Sequence, residues 1–210
     1  MQTPLSHQQE ATALAIQLAV KKLTDPSNPT DLTDRCASLG LPPPAGGKVR
    51  IPLLGRTLEL HDHTFEGVIT DTGKPPKPID RLLALHYLTS DSPVSPENRW
   101  ITFREFPGGA FYWQPFLSRS VNPLIKAIGN DLDRLRERLA RFAAKIEDGP
   151  ADAVSARIVA IGRVEVLLVY RAGDDEFPPT ADLLYDGCAR RVFCAEDAAA
   201  LGGRVCFGLM

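Results

Sequence analysis

Apolar and polar positions along the chain change period several times, and each change predicts an element. Residues 7–24 are rich in Ala and Leu and apolar on more than one face, which predicts a helix packed on both sides. Ser6-x-x-Gln9 is a capping-box spacing at its start, and Asp25-Pro26 ends it, because proline cannot continue the hydrogen-bond ladder. A shorter helix follows over about 30–38, with Thr30 or Asp31 as its cap. From Lys48 the period drops to two, predicting a β-meander with strands Lys48–Leu54, Arg56–His61 and Phe65–Thr70. At Ile79, Leu82, Leu83, His86 and Tyr87 the spacing is again that of one helical face.

Further on, Trp100–Phe106 alternates as a strand, with Ile101 and Phe103 on one face and Thr102 and Arg104 on the other. Pro107-Gly108-Gly109 turns the chain into an aromatic segment, Ala110–Phe116, that can be helical as far as Pro115. Helices are expected at about 121–129 and 131–146. The second carries the stripe Leu132, Leu135, Leu139, Phe142 and Ile146, an N-terminal Asp131, a C-terminal Lys145 and a Glu137→Arg141 pair. Arg157–Ile161 and Val164–Tyr170 form a hairpin around the two-residue turn Gly162-Arg163. Ala181–Tyr185 adds a strand that Cys188–Phe193 continues or flanks, Glu196–Leu201 is a short helix, and Val205–Leu209 is a last apolar segment. Strands and helices segregate instead of alternating, so the expected fold class is α+β, a mostly antiparallel sheet packed against helices. Gly40 and Pro42-Pro43-Pro44 form a stiff connector, dividing an N-terminal helical arm, 1–44, from a single α+β domain, 45–210.

Composition narrows the function classes. The 210 residues are 44% hydrophobic and 24% charged, with a net charge of −2, so a substantial core is expected and a nucleic-acid partner is not. No apolar window reaches the ~18–20 residues of a membrane span, and the first residues lack the basic region of a signal peptide; the expectation is a soluble, cytoplasmic protein. Cys36, Cys188, Cys194 and Cys206 follow no zinc or cluster spacing and are expected to be reduced and mostly buried. His61-Asp62-His63 places two imidazoles on one strand face, but no third ligand lies nearby, and no metal is expected.

Candidate chemistry gathers between residues 79 and 116, which hold both tryptophans and four of the nine phenylalanines. His86 admits two readings, a core histidine satisfied by a carbonyl or carboxylate, or a histidine lining a pocket as acid, base or axial ligand. Gly108 and Gly109 can cradle an anion at a helix start, or exist only because the turn needs positive φ. The turn Asp174-Asp175-Glu176 can contribute to a hard-cation site or be an acidic surface turn. As a binding module, the protein would use Trp100, Phe103, Phe106, Phe111, Tyr112 and Trp113 as an apolar pocket for a large flat ligand, with His86 and Arg104 as its polar groups and Asp175 and Glu176 as further candidates. As an enzyme, it would use His86 as acid or base, Arg104 to hold an anion, and an acid among Asp174, Asp175, Glu176 and Asp186 to orient the histidine or bind a metal. No nucleophile elbow, P-loop, HExxH or dinucleotide fingerprint is present. A third role, binding a protein partner, needs none of these groups.

The series LHYL (85–88), WITFREFPGG (100–109), GDDEFPPTADLLYD (173–186) and AEDAAALG (195–202) resembles the family labelled domain of unknown function 3786, over roughly residues 45–204. That family occurs largely in anaerobic bacteria, including sulfate reducers, and in methanogens. Some members carry an N-terminal four-cysteine iron–sulfur module, which Cys36 alone cannot supply here. By association with corrinoid and one-carbon proteins, the resemblance implies an accessory, cofactor-handling protein of anaerobic metabolism, with a small molecule or a partner protein as its counterpart; the flat ligand that the aromatic pocket would suit is, for instance, a tetrapyrrole, its metal held by His86 and a carboxylate paired by Arg104.

Overall fold

The structure, a computed structural model, describes residues 4–27 and 31–210, with side chains in the first stretch from His7 onward. In chain order the elements are α1 (Pro4–Leu23), α2 (Leu32–Leu39), β1 (Lys48–Leu53), β2 (Arg56–His61), β3 (Gly67–Ile69), α3 (Pro78–Leu88), β4 (Trp100–Thr102), α4 (Gly109–Phe116), α5 (Asn122–Ile128), α6 (Leu132–Ala140), β5 (Lys145–Glu147), β6 (Ala153–Ile161), β7 (Val164–Arg171), β8 (Thr180–Asp186), α7 (Ala189–Val192) and α8 (Ala195–Gly208). All strand pairs are antiparallel, in the order β3-β2-β1-β6-β7-β8-β4, with β5 added to the edge of β6. The fold is α+β, as the segregated pattern implies.

One face of the sheet is the core. Val49, Ile51, Leu58, Leu60, Ala156, Ile158, Val166, Leu168, Tyr170 and Tyr185 alternate onto it and are fully buried under the helices. Tyr170 Oη reaches the Gly129 carbonyl at the end of α5 (2.8 Å), and Tyr185 Oη reaches the Ala198 carbonyl in α8 (2.7 Å). Each bond satisfies a buried hydroxyl while setting a helix on the sheet. Cys36 and Leu39 of α2 and Ala19 and Leu23 of α1 belong to the same hydrophobic cluster. The Leu39 carbonyl accepts from Tyr87 Oη at 2.7 Å, and Val94 N–H bonds the Ser38 carbonyl.

The meander, the hairpin at Gly162-Arg163 and the helix over α3 lie where the pattern predicts. Asp31 caps α2, its side chain accepting from Thr33 and Asp34 N–H; Thr30 lies outside the described residues. Helix α1 begins at Pro4, so Ser6 falls inside its first turn, and the Ser6 side chain is outside the described residues too.

Other expectations fail for identifiable reasons. The strand from Trp100 stops at Thr102, because Thr102 and Glu105 form a reciprocal capping box that folds Phe103–Glu105 into a 3-10 turn. Arg104 therefore sits on a turn and not on a strand face. The helix expected over 131–146 ends at Ala140; Ala143 takes φ of 50°, and Lys145–Glu147 pairs with β6. Leu132, Leu135, Leu139 and Phe142 keep the buried stripe, while Ile146 is 42% exposed. The Glu137–Arg141 pair is absent, and Arg136 binds Asp133 instead at 2.9 Å. Pro115 does not end α4, which passes through a π-helical turn, Leu117–Val121, into α5. Cys188–Phe193 is not strand but holds the short helix α7. The last two segments are one helix, α8, unbroken at Gly202-Gly203. A Cβ on Gly202 would come within 2.2 Å of Tyr185 Oη and 2.8 Å of the Phe116 ring, so this glycine lets α8 approach β8 and α4. Finally, α1 is packed on one side only, with Leu14 and Leu18 exposed.

Candidate functional site

Helices α3 and α8 cross in opposite directions and are joined by two polar contacts. Near the start of α3, Asp80 makes a bidentate pair with Arg204 of α8, Oδ1 to Nε at 2.6 Å and Oδ2 to Nη2 at 2.9 Å. Two turns on, His86 Nδ1 lies 2.8 Å from Oδ1 of Asp197, at the other end of α8. Asp197 is buried, and its Oδ2 accepts from the Cys194 thiol at 3.4 Å. Cys194 is the N-cap of α8 and Asp197 its third residue, so helix geometry brings thiol and carboxylate together.

An ionised carboxylate accepts but cannot donate, so in this contact Nδ1 is the donor. Nε2 makes no hydrogen bond within the described residues and reaches solvent, the His86 side chain being 29% exposed. The two readings of His86 thus meet in one residue, satisfied by a carboxylate on the core side and open on the other. Cys194 is exposed, unlike the other three cysteines, yet desolvation of its sulfur raises its pKa, and the charge of Asp197 adds to this against the pull of backbone N–H groups. A raised pKa disfavours the thiolate, and the thiol donates to Asp197.

The remaining candidates fall in three other places. Phe103 stacks on Phe116 (centroids 4.4 Å apart) and on Trp113, and Phe103 and Phe106 are buried in the core. Arg104 Cζ lies 5.5 Å from the Trp113 ring centroid, while Phe111 and Tyr112 are exposed. Gly108 has φ of 79°, and a Cβ on Gly109 would lie 2.1 Å from the Phe103 carbonyl, so the Gly-Gly pair is required by the turn itself. Trp100 sits on the open face of the sheet under Arg157 (5.5 Å). Asp175 and Glu176 are exposed in a turn that Asp174 builds by accepting from the Glu176 and Phe177 N–H groups. Asp186 is committed elsewhere, its oxygens holding the N–H groups of Glu97, Asn98 and Cys188. No bond or ring contact joins any of these groups to His86 among the described residues. An open groove of about 560 Å³ lies by Leu23, Asp25, Asp31, Asp62 and His63, away from all of them. Among the described residues no three His, Cys, Asp or Glu side chains are grouped to hold a metal, and no helix is long and apolar enough to cross a membrane.

The acid that orients His86 is therefore Asp197, which the sequence reading did not single out. Cys194-x-x-Asp197 has the spacing of an N-cap and its third residue, a local sign of a helix start. Nothing local announces its partner, 111 positions earlier.

Residues 31–207 match the family model described as Domain of unknown function (DUF3786). The chain belongs to this family. In DUF3786 terms, the matched region takes in α2 through nearly all of α8, and with them both contacts between α3 and α8; α1 lies before it. No curated protein and no solved structure matches the chain.

Proposed function

We propose that the protein binds a small-molecule ligand or cofactor through His86, in an accessory role. What supports this reading is the 2.8 Å contact between Nδ1 and Asp197, which leaves Nε2 facing solvent. A carboxylate on one ring nitrogen fixes the ring and strengthens the other nitrogen as a donor, the arrangement of imidazoles that bind metals. A tetrapyrrole or corrinoid is a class whose metal would take one such nitrogen, here from His86. Of the residues present, His86 would hold such a group by that one nitrogen, and no aromatic ring contacts His86 among the described residues. The accessory role in anaerobic metabolism follows the family resemblance. A second reading, an enzyme with His86 as acid or base, draws on the same oriented imidazole.

The test is an absorption titration of the chain with hydroxocobalamin and, separately, with haemin. The expected result is a saturable band shift at one equivalent, abolished by His86→Ala and weakened about 10–100-fold by Asp197→Asn. Melting temperatures of both variants would show that the fold persists. No shift with either probe, or a shift that His86→Ala leaves unchanged, overturns the reading.

A further inference from the structure

Helix α1 carries two apolar stripes, and the rest of the chain covers one. Ala19 and Leu23, with Ile16 and Val20 beside them, pack into the core. Leu14 and Leu18, one turn apart on the other side, are 57% and 60% exposed, with Ala11 exposed beside them. A lone exposed leucine needs no explanation. Here two of them line a seam whose charged flanks differ along the helix, acidic at Glu10 and basic at Lys21 and Lys22.

We propose that this stripe joins two copies of the chain, α1 against α1 in antiparallel order. A two-fold axis at the level of Ile16 sets Leu14 opposite Leu18 of the second copy and Glu10 opposite Lys22, with Lys21 adjacent. At 100° per residue, Glu10, Leu18 and Lys21 all fall within about 40° of Leu14 around the helix, so both charges flank the apolar seam. Parallel pairing would instead set Glu10 against Glu10 and lysine against lysine. Lys22 already binds Asp91 and the Thr89 carbonyl, whereas Lys21 forms no ion pair among the described residues and is the cation left for Glu10 of the second copy, whose own contact within α1 is a long 3.9 Å approach to the exposed His7. The polar positions near the seam are mixed, His7, Glu10 and Gln17 beside Lys21, and not the cation-rich collar by which an interfacial helix holds a lipid surface. Helix α1, which would carry the contact, lies before the family-matched region. A single helix pair buries less than a standard interface, so the association is weak.

Sedimentation velocity of the whole chain from about 1 to 200 μM spans the range in which such a contact acts. A reversible monomer–dimer equilibrium is expected, weakened at least about 10-fold by Leu18→Glu. Glu10→Lys and Lys21→Glu should each weaken it, and the two together should restore most of the wild-type association. All three positions are exposed, so circular dichroism and melting temperature should not move. A monomer at every concentration, a dimer indifferent to Leu18→Glu, or a double charge variant no better than either single one overturns the proposal.

Discussion

Tyr87 shows what one buried hydroxyl does here. Its Oη donates to the Leu39 carbonyl at 2.7 Å and accepts the Arg163 N–H at 3.1 Å, tying α2 to the turn between β6 and β7. Burial is the main cause that pushes its pKa up to about 12, only partly offset by the Arg163 N–H. A folded pKa above the unfolded value of about 10 means stability that is complete below pH 10 and lost as pH rises through about 12. Tyr87→Phe should cost about 1–3 kcal/mol at pH 7, since the buried Leu39 carbonyl and the part-buried Arg163 N–H lose their partner, and should remove that alkaline loss; urea unfolding at pH 7 and pH 11 measures both. Asp186 behaves with the opposite sign. Burial alone would raise its pKa, but hydrogen bonds from Cys188, Glu97 and Asn98 outweigh it and the net shift is downward. Its contribution is present above the ordinary carboxylate value and is lost as pH falls through the lower folded one. Asp186→Asn should therefore cost about 1–3 kcal/mol at neutral pH and flatten the acid limb of a stability–pH profile, because an amide offers one acceptor oxygen to three N–H groups.

At the scale of elements, the two contacts between α3 and α8 fix how these helices lie. Asp80 is 5% exposed and keeps both oxygens on Arg204, so Asp80→Ala strands a guanidinium. The expected loss is about 3 kcal/mol, the lower end for a broken buried pair because the Arg204 side chain is 22% exposed. A double-mutant cycle with Arg204→Met should return a coupling of comparable size; a coupling near zero would mean that packing alone holds the helices. These contacts were not legible in the sequence, although much of their setting was. Period-two alternation marked β1, β2, β6 and β7, and period 3.6 marked α3 and placed His86 on its inner face, because each pattern follows from local geometry. Where tertiary pairing competes with local preference, the pattern misleads: residues 145–147 continue a helical stripe, yet they fill the open edge of β6. Thr102-x-x-Glu105 was readable as a capping box and would have ended the strand in the right place. The Asp197 contact to His86 and the Asp80 contact to Arg204 join positions more than a hundred residues apart, and no single-sequence spacing encodes them.

For the whole molecule, the family-matched region and the proline connector mark different points in the chain. The matched region begins at residue 31, so α2 lies inside it although Pro42-Pro43-Pro44 follows. Physical contacts agree, since α2 is sewn to the body through Tyr87, Ser90 and Val94. Helix α1 has less to hold it, chiefly Ala19 and Leu23 in the core and Lys22 on the end of α3. Removing residues 1–27 should then leave a folded domain that unfolds in one cooperative step, less stable by about 2–4 kcal/mol, the worth of one buried leucine and its partly buried neighbours. The same truncation should abolish self-association, because it removes the exposed leucine seam. Chemical denaturation and sedimentation of the truncated chain measure the two effects separately. Loss of folding would mean that α1 is integral to the domain, and persistence of a dimer would move the interface elsewhere. A stable monomer would assign α1 two jobs at once, a cover for α3 on one face and a contact for a second copy on the other.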